Sequence, residues 1–194
     1  CCFLISIIIC LCEDICLLSL FSNKWETFNH ISAQYFLWGS LTLKVKYSYS
    51  TEIFLDERFK TGGFHVLAGG SFTKKLYWDI LYRNINAVYY SAAPFQGYSN
   101  RIVSNFVYQP FEKLNYEFNF IFYDFYDESN DELVYEYPIF RNKLTFQINK
   151  YLFVRGIAEY NRFKNDVLTD FLVSFTYIPG TVIHLGYGSM YEKT

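Results

Sequence analysis

The sequence is poor in the residues that mark several common classes of protein. Its 194 residues include only 4 Pro and a single Met. Basic and acidic residues nearly balance, with 17 Lys and Arg against 19 Asp and Glu and a formal net charge of −2. Nucleic-acid-binding proteins usually carry a surplus of basic residues, so this balance argues against nucleic acid as a partner.

Cysteine is missing from almost the whole chain. All five cysteines fall within the first 16 residues, and none occurs in the remaining 178. A disulfide framework distributes its cysteines along the fold, so this pattern marks a boundary in composition. We therefore expect residues 1–30, a Cys-rich apolar segment, to lie outside the native fold, and residues 31–194 to form the folded domain.

The opening segment also lacks the marks of an export signal or a membrane helix. "CCFLISIIICLCEDICLLSLF" has no initiating Met, no basic leading region and no small-residue cleavage site. Its first apolar run ends at Glu13 and Asp14, too early to span a bilayer as a helix. A poorly cleaved signal and a short core helix remain as alternatives to a segment that is foreign to the fold.

Aromatic residues, in contrast, are unusually abundant. The chain has 19 Tyr, 21 Phe and 3 Trp, which together make 22% of it. Tyr and Trp suit positions where one end of the side chain is apolar and the other end is wet. Such enrichment fits a membrane β-barrel with aromatic girdles, and it also fits an aromatic-rich soluble sheet.

Apolar and polar side chains alternate with a period of two, which is typical of β-strands. In "SLTLKVKYSYS", residues 40–50, Leu, Val and Tyr occupy one parity while Ser, Thr and Lys occupy the other. In "YEFNFIF", residues 116–122, rings alternate with Glu117 and Asn119. The sequence therefore predicts an all-β fold: an antiparallel up-and-down meander of about nine strands that forms a partial transmembrane β-barrel.

The connections between the predicted strands differ in length and charge. Short connections are predicted near 84–87, 109–113, 149–150 and 178–180. Longer or more charged ones are predicted at 51–63, 95–100, 127–131 and 162–166. Short turns at one end and longer loops at the other are typical of outer-membrane barrels, although soluble up-and-down barrels show them too. Several predicted strands exceed the ~9–11 residues that cross a bilayer at a tilt.

Two hairpins can be assigned a register from the sequence. A three-residue turn around Pro179 places Tyr177 opposite Thr181 and Phe175 opposite Ile183, and on the other face Ser174 opposite His184, Leu172 opposite Gly186 and Asp170 opposite Gly188. A three-residue turn at 149–151 places Phe146 beside Val154, Leu144 beside Gly156, Thr145 beside Arg155 and Arg141 beside Glu159. Both registers keep apolar with apolar and polar with polar or glycine, as cross-strand packing prefers.

Several motifs in the chain resemble those of a known family. These are "YQPFEKL" at 108–114, "NKYLFVR" at 149–155, "SFTYIPGTV" at 174–182 and "LGYGS" at 185–189. They are similar to segments of a bacterial family of unknown function, in which a carbohydrate-binding-like (family nine-like) N-terminal domain precedes an outer-membrane β-barrel. The resemblance implies a barrel in the outer membrane of a Gram-negative-type bacterium, with membrane lipid as a partner. It implies no reaction and no cofactor.

The chain departs from that family in three respects. The carbohydrate-binding-like domain is absent, the Cys-rich start differs, and the sequence stops at "MYEKT" before the closing strand that such barrels place last. We therefore expect a fragment of a larger barrel. By the resemblance, its partner is the missing N-terminal domain of the same protein, with carbohydrate bound through that domain.

The alternation assigns side chains to two faces of the expected barrel. The residues expected to line a polar interior are Lys44, Lys46, Lys75, Glu117, Arg141, Lys143, Arg155, Glu159, Asp170, Ser174 and His184. Those expected to face lipid are Tyr116, Phe118, Phe120, Phe122, Phe146, Phe171, Phe175 and Tyr177. A charged pair such as Arg141–Glu159 is accommodated more readily in a wet lumen than in a dry core.

The sequence predicts neither a catalytic site nor a metal site. The histidines at 30, 65 and 184 have no ligand-spaced partners. Ser174, His184 and Asp170 share one face, but Asp170 lies too far along the strand from Ser174 to orient His184, so a Ser174–His184 hydrogen bond is the better interpretation. The acids at 124, 127, 128, 131 and 132 lack the ordered spacing of a calcium loop and are interpreted as a solvated outer loop.

These observations favour a channel, an export pore or a membrane anchor for an extracytoplasmic carbohydrate-binding-like domain. The last element rests on the resemblance alone. One alternative is a soluble β-barrel or sandwich that binds a ligand in its interior. Another is the barrel part of an uncharacterised hydrolase, for which the sequence nominates no nucleophile and no base.

Overall fold

A computed structural model describes residues 5–6, 26–37, 40–178 and 180–192. Within them the chain forms twelve β-strands and no helix. The strands are β1 (Ile5–Ser6), β2 (Thr27–Phe36), β3 (Thr42–Phe54), β4 (Glu57–Lys60), β5 (Gly63–Thr73), β6 (Leu76–Tyr89), β7 (Phe95–Phe111), β8 (Leu114–Asp127), β9 (Leu133–Gln147), β10 (Leu152–Asn161), β11 (Asp166–Ile178) and β12 (Thr181–Glu192). A helix that could cross a bilayer is not found among these residues.

The strands pair in an antiparallel, up-and-down order. Neighbours in the sheet follow the order β1-β2-β3-β5-β6-β7-β8-β9-β10-β11-β12, and β4 pairs with β3 beside this path. This confirms the predicted all-β antiparallel meander, with eleven strands on the path where about nine were expected. Since β1 and β12 end the order, the sheet formed by the described residues is not closed.

One of the predicted short connections is wrong. Residues 84–87 lie inside β6, and the chain turns earlier, at Lys74 and Lys75 between β5 and β6. Lys75, expected to line the interior from a strand, is therefore exposed in a turn, where its N–H donates to Thr73 Oγ1 at 3.2 Å. The two adjacent lysines interrupt the apolar–polar alternation, whereas Asn-Ile-Asn-Ala at 84–87 continues it.

The segments 51–63 and 95–100, predicted as loops, are largely strand. β3 runs on to Phe54, turns at Leu55 and Asp56, and returns as β4 against its own end. Both turn residues have positive φ, 47° and 69°, as the favoured two-residue hairpin turn requires. The usual Asn-Gly signal for that turn is missing here, so the sequence does not predict the hairpin. Residues 95–100 open β7, so the preceding loop is confined to 90–94.

The sheet begins before residue 31. β2 pairs with β3 along its whole length, so residues 27–30 belong to the sheet. Ile5 and Ser6 form β1 and pair with β2. The rest of the expected Cys-rich segment, residues 1–4 and 7–25, lies outside the described residues.

The chain divides into two compact units. Unit 1 comprises Cys1–Gly69, Ile80–Ile102 and Tyr123–Glu136, and unit 2 comprises Gly70–Asp79, Val103–Phe122 and Tyr137–Thr194. Each unit has its own packing and its own polar groups.

An aromatic cluster forms the best-packed part of unit 1. The Phe125 ring is 1% exposed and contacts the rings of Tyr89, Phe95 and Tyr135 at centroid distances of 5.5–6.1 Å. Gly97 makes room for this ring, because a Cβ at that position would lie 2.3 Å from Phe125 Cζ. The alternation predicts rings that face outward and gives no sign of a set of rings that pack against one another.

The two hairpins of unit 2 form in the predicted registers. Phe146 faces Val154 and Arg141 faces Glu159 in the β9–β10 hairpin. The β11–β12 hairpin likewise pairs Phe175 with Ile183, Ser174 with His184, Leu172 with Gly186 and Asp170 with Gly188. The exception is at the turn, where a register shift between Thr176 and Ile178 leaves Ile178, instead of Tyr177, opposite Thr181. An extra residue of this kind is a β-bulge, which periodicity alone does not predict.

Candidate functional site

Charged side chains from four strands share one face of unit 2. Opposite residues in an antiparallel pair lie on the same face. The register places Arg141 opposite Glu159, and Lys143 opposite Ile157, which in turn is opposite Asp170. We call this surface the polar face and define it by Glu117, Arg141, Lys143, Arg155, Glu159 and Asp170.

Every cation of the polar face has an acidic partner. Lys143 Nζ lies 3.0 Å from Glu117 Oε1, and Arg155 Nη2 lies 3.1 Å from Asp170 Oδ1. Arg141 Nη1 lies 3.7 Å from Glu159 Oε2, a looser pair. All six side chains keep between about a quarter and a half of their surface exposed. Pairs of this kind are tolerated in contact with water and would be costly in a sealed apolar core.

Amide side chains extend hydrogen bonding across β6, β7 and β8. Asn105 Nδ2 donates to Asp79 Oδ2 at 2.8 Å, and Asn119 Nδ2 donates to Asn105 Oδ1 at 2.7 Å. Asn115 Nδ2 donates to Glu117 Oε1 at 2.7 Å and so joins the polar face. These amides are not among the residues predicted to line the interior, although Asn119 has the same parity as Glu117 in the alternation of residues 116–122.

The opposite side of unit 2 is an apolar face. It is formed by Leu144, Phe146, Val154, Phe171, Val173, Phe175, Ile183, Leu185 and Tyr187, which face one another in the registers of β9 to β12. Several of these side chains are largely exposed to solvent: Leu185 is 73% exposed, Tyr187 63% and Phe171 58%. A sheet with one face of exposed hydrocarbon and one of paired charges is therefore built into this unit.

Over residues 116–122 of β8, the aromatic residues occupy one parity and Glu117 and Asn119 the other, as the sequence indicates. Tyr116 donates its hydroxyl to Asn142 Oδ1 at 2.7 Å, while Glu117 on the other parity contacts Lys143. The rings of Phe120 and Phe140 lie 5.0 Å apart. Phe118 and Phe122 occupy the same strand parity as Tyr116 and Phe120.

The Ser174, His184 and Asp170 side chains do not assemble a triad. Ser174 and His184 are opposite in the register, and Ser174 is buried. Asp170 instead accepts a hydrogen bond from Arg155. The predicted hydrogen bond between Ser174 and His184 remains a prediction.

Unit 1 carries a second polar cluster, which we call the basic row: His30, Lys46, Ser48, His65 and Arg83. His30 is opposite Ser48 and Lys46 is opposite His65 in the registers of β2, β3 and β5. Ser48 Oγ lies 3.4 Å from His65 Nε2. Arg83 on β6 is opposite His65, since Gly63 lies against Ile85 in the antiparallel pair of β5 and β6. Of the predicted lining residues, Lys46 belongs to the row, and Lys44 follows on the same parity of β3.

The acidic segment near residue 128 divides into a loop and one buried carboxylate. Asp127 Oδ1 accepts the N–H of Ser129 at 2.8 Å, and Asp131 Oδ1 accepts the Tyr98 hydroxyl at 2.7 Å. Asp124 is different: it lies within β8, is buried, and accepts the Asn100 N–H at 2.7 Å. Among the described residues, no group of three or more His, Cys, Asp or Glu is placed to hold a metal ion.

Comparison with family models, curated proteins and solved structures gives no match to this chain. The candidate site therefore rests on the two faces of unit 2 and on the basic row of unit 1. Unit 2 presents partly exposed ion pairs on one face and exposed apolar side chains on the opposite face.

Proposed function

We propose that this chain is part of an outer-membrane β-barrel that acts as a channel, an export pore or a membrane anchor. The observation that carries the proposal is the apolar face of unit 2, whose large side chains are exposed while the polar face opposite pairs its charges. Soluble monomers rarely expose contiguous apolar patches of more than a few hundred Å². A bilayer would cover this face, and water in a lumen would solvate the other.

Strand length supports the same proposal. β7 has 17 residues, β9 has 15 and β8 has 14. Crossing the hydrocarbon of a bilayer at a tilt takes ~9–11 residues, whereas soluble strands usually have about 5–6. Strands of this length would cross the membrane and extend beyond it at one end.

The proposal also requires that the two ends of the sheet be paired in the membrane. Unsatisfied backbone groups in lipid cost several kcal/mol each, so an open edge is not tolerated there. The edges of β1 and β12 must then pair with each other or with further strands. The family resemblance adds an extracytoplasmic carbohydrate-binding-like domain as the partner that the barrel would anchor.

Neighbouring residues of β12 offer a matched test of membrane insertion. Leu185→Lys places a charge on the apolar face, and His184→Lys places the same charge on the polar face. We expect Leu185→Lys to reduce the protease-protected fraction of the chain in phospholipid vesicles, because a lysine facing lipid costs about 2–4 kcal/mol near the bilayer midplane. His184→Lys should insert like the unchanged protein.

Equal insertion of the two variants would contradict the proposal. So would a chain that stays monomeric in solution without detergent, since the apolar face would then be stable in water. The second result would favour a soluble β-barrel that binds a ligand. The aromatic cluster around Phe125 is the observation in favour of that alternative, because a packed set of rings is typical of a dry core.

A further inference from the structure

We propose that the basic row of unit 1 binds an oxyanion of the phosphate type. The row brings together residues from four strands that are far apart in the sequence. Lys46 and His65 face each other across β3 and β5, Ser48 Oγ lies 3.4 Å from His65 Nε2, and His30 on β2 is opposite Ser48 in the register. Arg83 on β6 is opposite His65, because the Asn86 N–H donates to Gly62 O and Gly63 lies against Ile85 in the antiparallel pair of β5 and β6.

The cations of the basic row have no acidic partner among the described residues. In unit 2 each lysine or arginine of the polar face pairs with a carboxylate. In unit 1, Lys46 Nζ lies 5.1 Å from the centroid of the Phe28 ring and forms no such pair with a described residue. A concentration of unpaired positive charge on a polar surface favours a negatively charged ligand.

Three buried polar atoms on this side of unit 1 point to the same chemistry. Arg83 Nε, His30 Nδ1 and Ser99 Oγ are buried and have no hydrogen-bond partner among the described residues. Ser99 is 1% exposed. Asn84 Nδ2 donates to Asn100 Oδ1 at 2.8 Å, and the Gln109 N–H donates to Lys75 O further along the same antiparallel pair. In this register Arg83 and Ser99 share the reverse face of β6 and β7, with Arg83 opposite Arg101 and Ser99 opposite Ile85.

A tetrahedral oxyanion fits these groups better than a halide. A guanidinium presents its N–H groups in a planar fork that matches two oxygens of one phosphate or carboxylate. Lysine adds a point charge, and the serine hydroxyl supplies a further donor. The phosphate group could belong to a small solute or to a lipid headgroup, and the experiment below separates the two sources. The proposed function is needed only to explain how phosphate would reach the basic row from a water-filled interior. Phosphate binding by the basic row does not depend on it.

The test is a titration of the full chain with inorganic phosphate in an uncharged, phosphate-free detergent. The Arg83 Nε–H and His65 imidazole signals are followed by NMR, with chloride at equal ionic strength as the reference. We expect a saturable shift with phosphate only. Arg83→Gln and Lys46→Gln should each weaken the phosphate affinity about tenfold, the loss of roughly one charge-assisted hydrogen bond.

Arg141→Gln is the matched control, because it removes the same charge from a residue that already faces Glu159. It should leave the phosphate affinity within about twofold. Absence of a saturable shift with both inorganic phosphate and the short-chain phosphatidic acid described next, or equal affinities in all three variants, would overturn the inference. If Arg83→Gln fails to fold, as judged by signal dispersion, Lys46→Gln decides alone.

A parallel titration with short-chain phosphatidic acid identifies the source of the phosphate. A response to inorganic phosphate supports a solute, and a response to the lipid alone assigns the same site to a headgroup. The inference and the proposed function fail separately. If the chain binds phosphate but does not enter vesicles, the phosphate site stands and the membrane proposal fails. If the chain inserts without binding phosphate, the membrane proposal stands and the phosphate site fails.

Discussion

At the scale of single residues, the parity of a side chain in its strand decides its surroundings. Asp124 shows the limit of reading this from sequence. The sequence places Asp124 with the acids of the loop that follows β8. In the structure it lies within β8 and is buried, and its carboxylate accepts hydrogen bonds from the backbone N–H and the side-chain amide of Asn100. A buried charge is tolerated when such hydrogen bonds replace water.

Gly97 provides the residue-scale prediction. A Cβ at Gly97 would lie 2.3 Å from the carbonyl oxygen of Tyr126, a backbone atom that cannot move aside alone, and equally close to the Phe125 ring. We expect Gly97→Ala to lower the free energy of unfolding by about 1–3 kcal/mol, as overpacking does. Urea unfolding followed by tyrosine fluorescence measures the change.

Gly186→Ala is the control for this prediction. A Cβ at Gly186 meets its nearest neighbours only at 3.6 Å, an ordinary contact distance. Its effect should stay within about 0.5 kcal/mol. If both substitutions cost the same, the close packing of Gly97 against β8 is incorrect.

At the scale of elements, hairpins are the part of the fold that the sequence specifies best. The turn at 149–151 and the alternation on either side of it sufficed to pair Arg141 with Glu159 and Phe146 with Val154. The β5–β6 turn at Lys74 and Lys75 was missed because neither residue is a turn former. The register of a hairpin can be predicted when its turn contains recognisable turn residues and its strands alternate. A turn without Gly, Asn or Pro gives no sign of its position in the sequence.

The ion pairs between strands give the element-scale prediction. In a double-mutant cycle, Lys143→Met and Glu117→Gln should show a coupling energy of about 0.5–1 kcal/mol, since the pair is close and only partly exposed. The Arg141–Glu159 pair, at 3.7 Å and with Arg141 about half exposed, should couple more weakly. Unfolding midpoints of the single and double variants provide both values.

The reverse order of the two coupling energies would contradict this ranking. A coupling well above 1 kcal/mol for Lys143–Glu117 would indicate that the polar face is drier than the structure places it.

At the scale of the whole molecule, the ends of the strand order matter most. β12 pairs with β11 and, among the described residues, with no other strand. If the chain inserts as proposed, the outer edge of β12 must find a partner, because lipid cannot satisfy its N–H groups. We expect the β12 amides to exchange with deuterium in vesicles within about tenfold of the rate of the β8 amides, which have strands on both sides.

Fast exchange confined to alternate β12 amides in the same vesicles would contradict closure of the sheet. Such exchange would show that the outer edge of β12 is in contact with water, and this would contradict the membrane proposal as well. β10, which is paired on both sides, serves as the internal reference for unit 2.

The sequence by itself determined the fold class, most strands, and the two hairpin registers of unit 2. It could do so because side-chain alternation and tight turns are local, and each acts over fewer than about 20 residues. Only the tertiary structure decided that Phe125 packs among rings from three other strands and that His30, Lys46, His65 and Arg83 meet. Such meetings depend on several successive strand pairs at once, because β2, β3, β5 and β6 must all be in register before these side chains share a face.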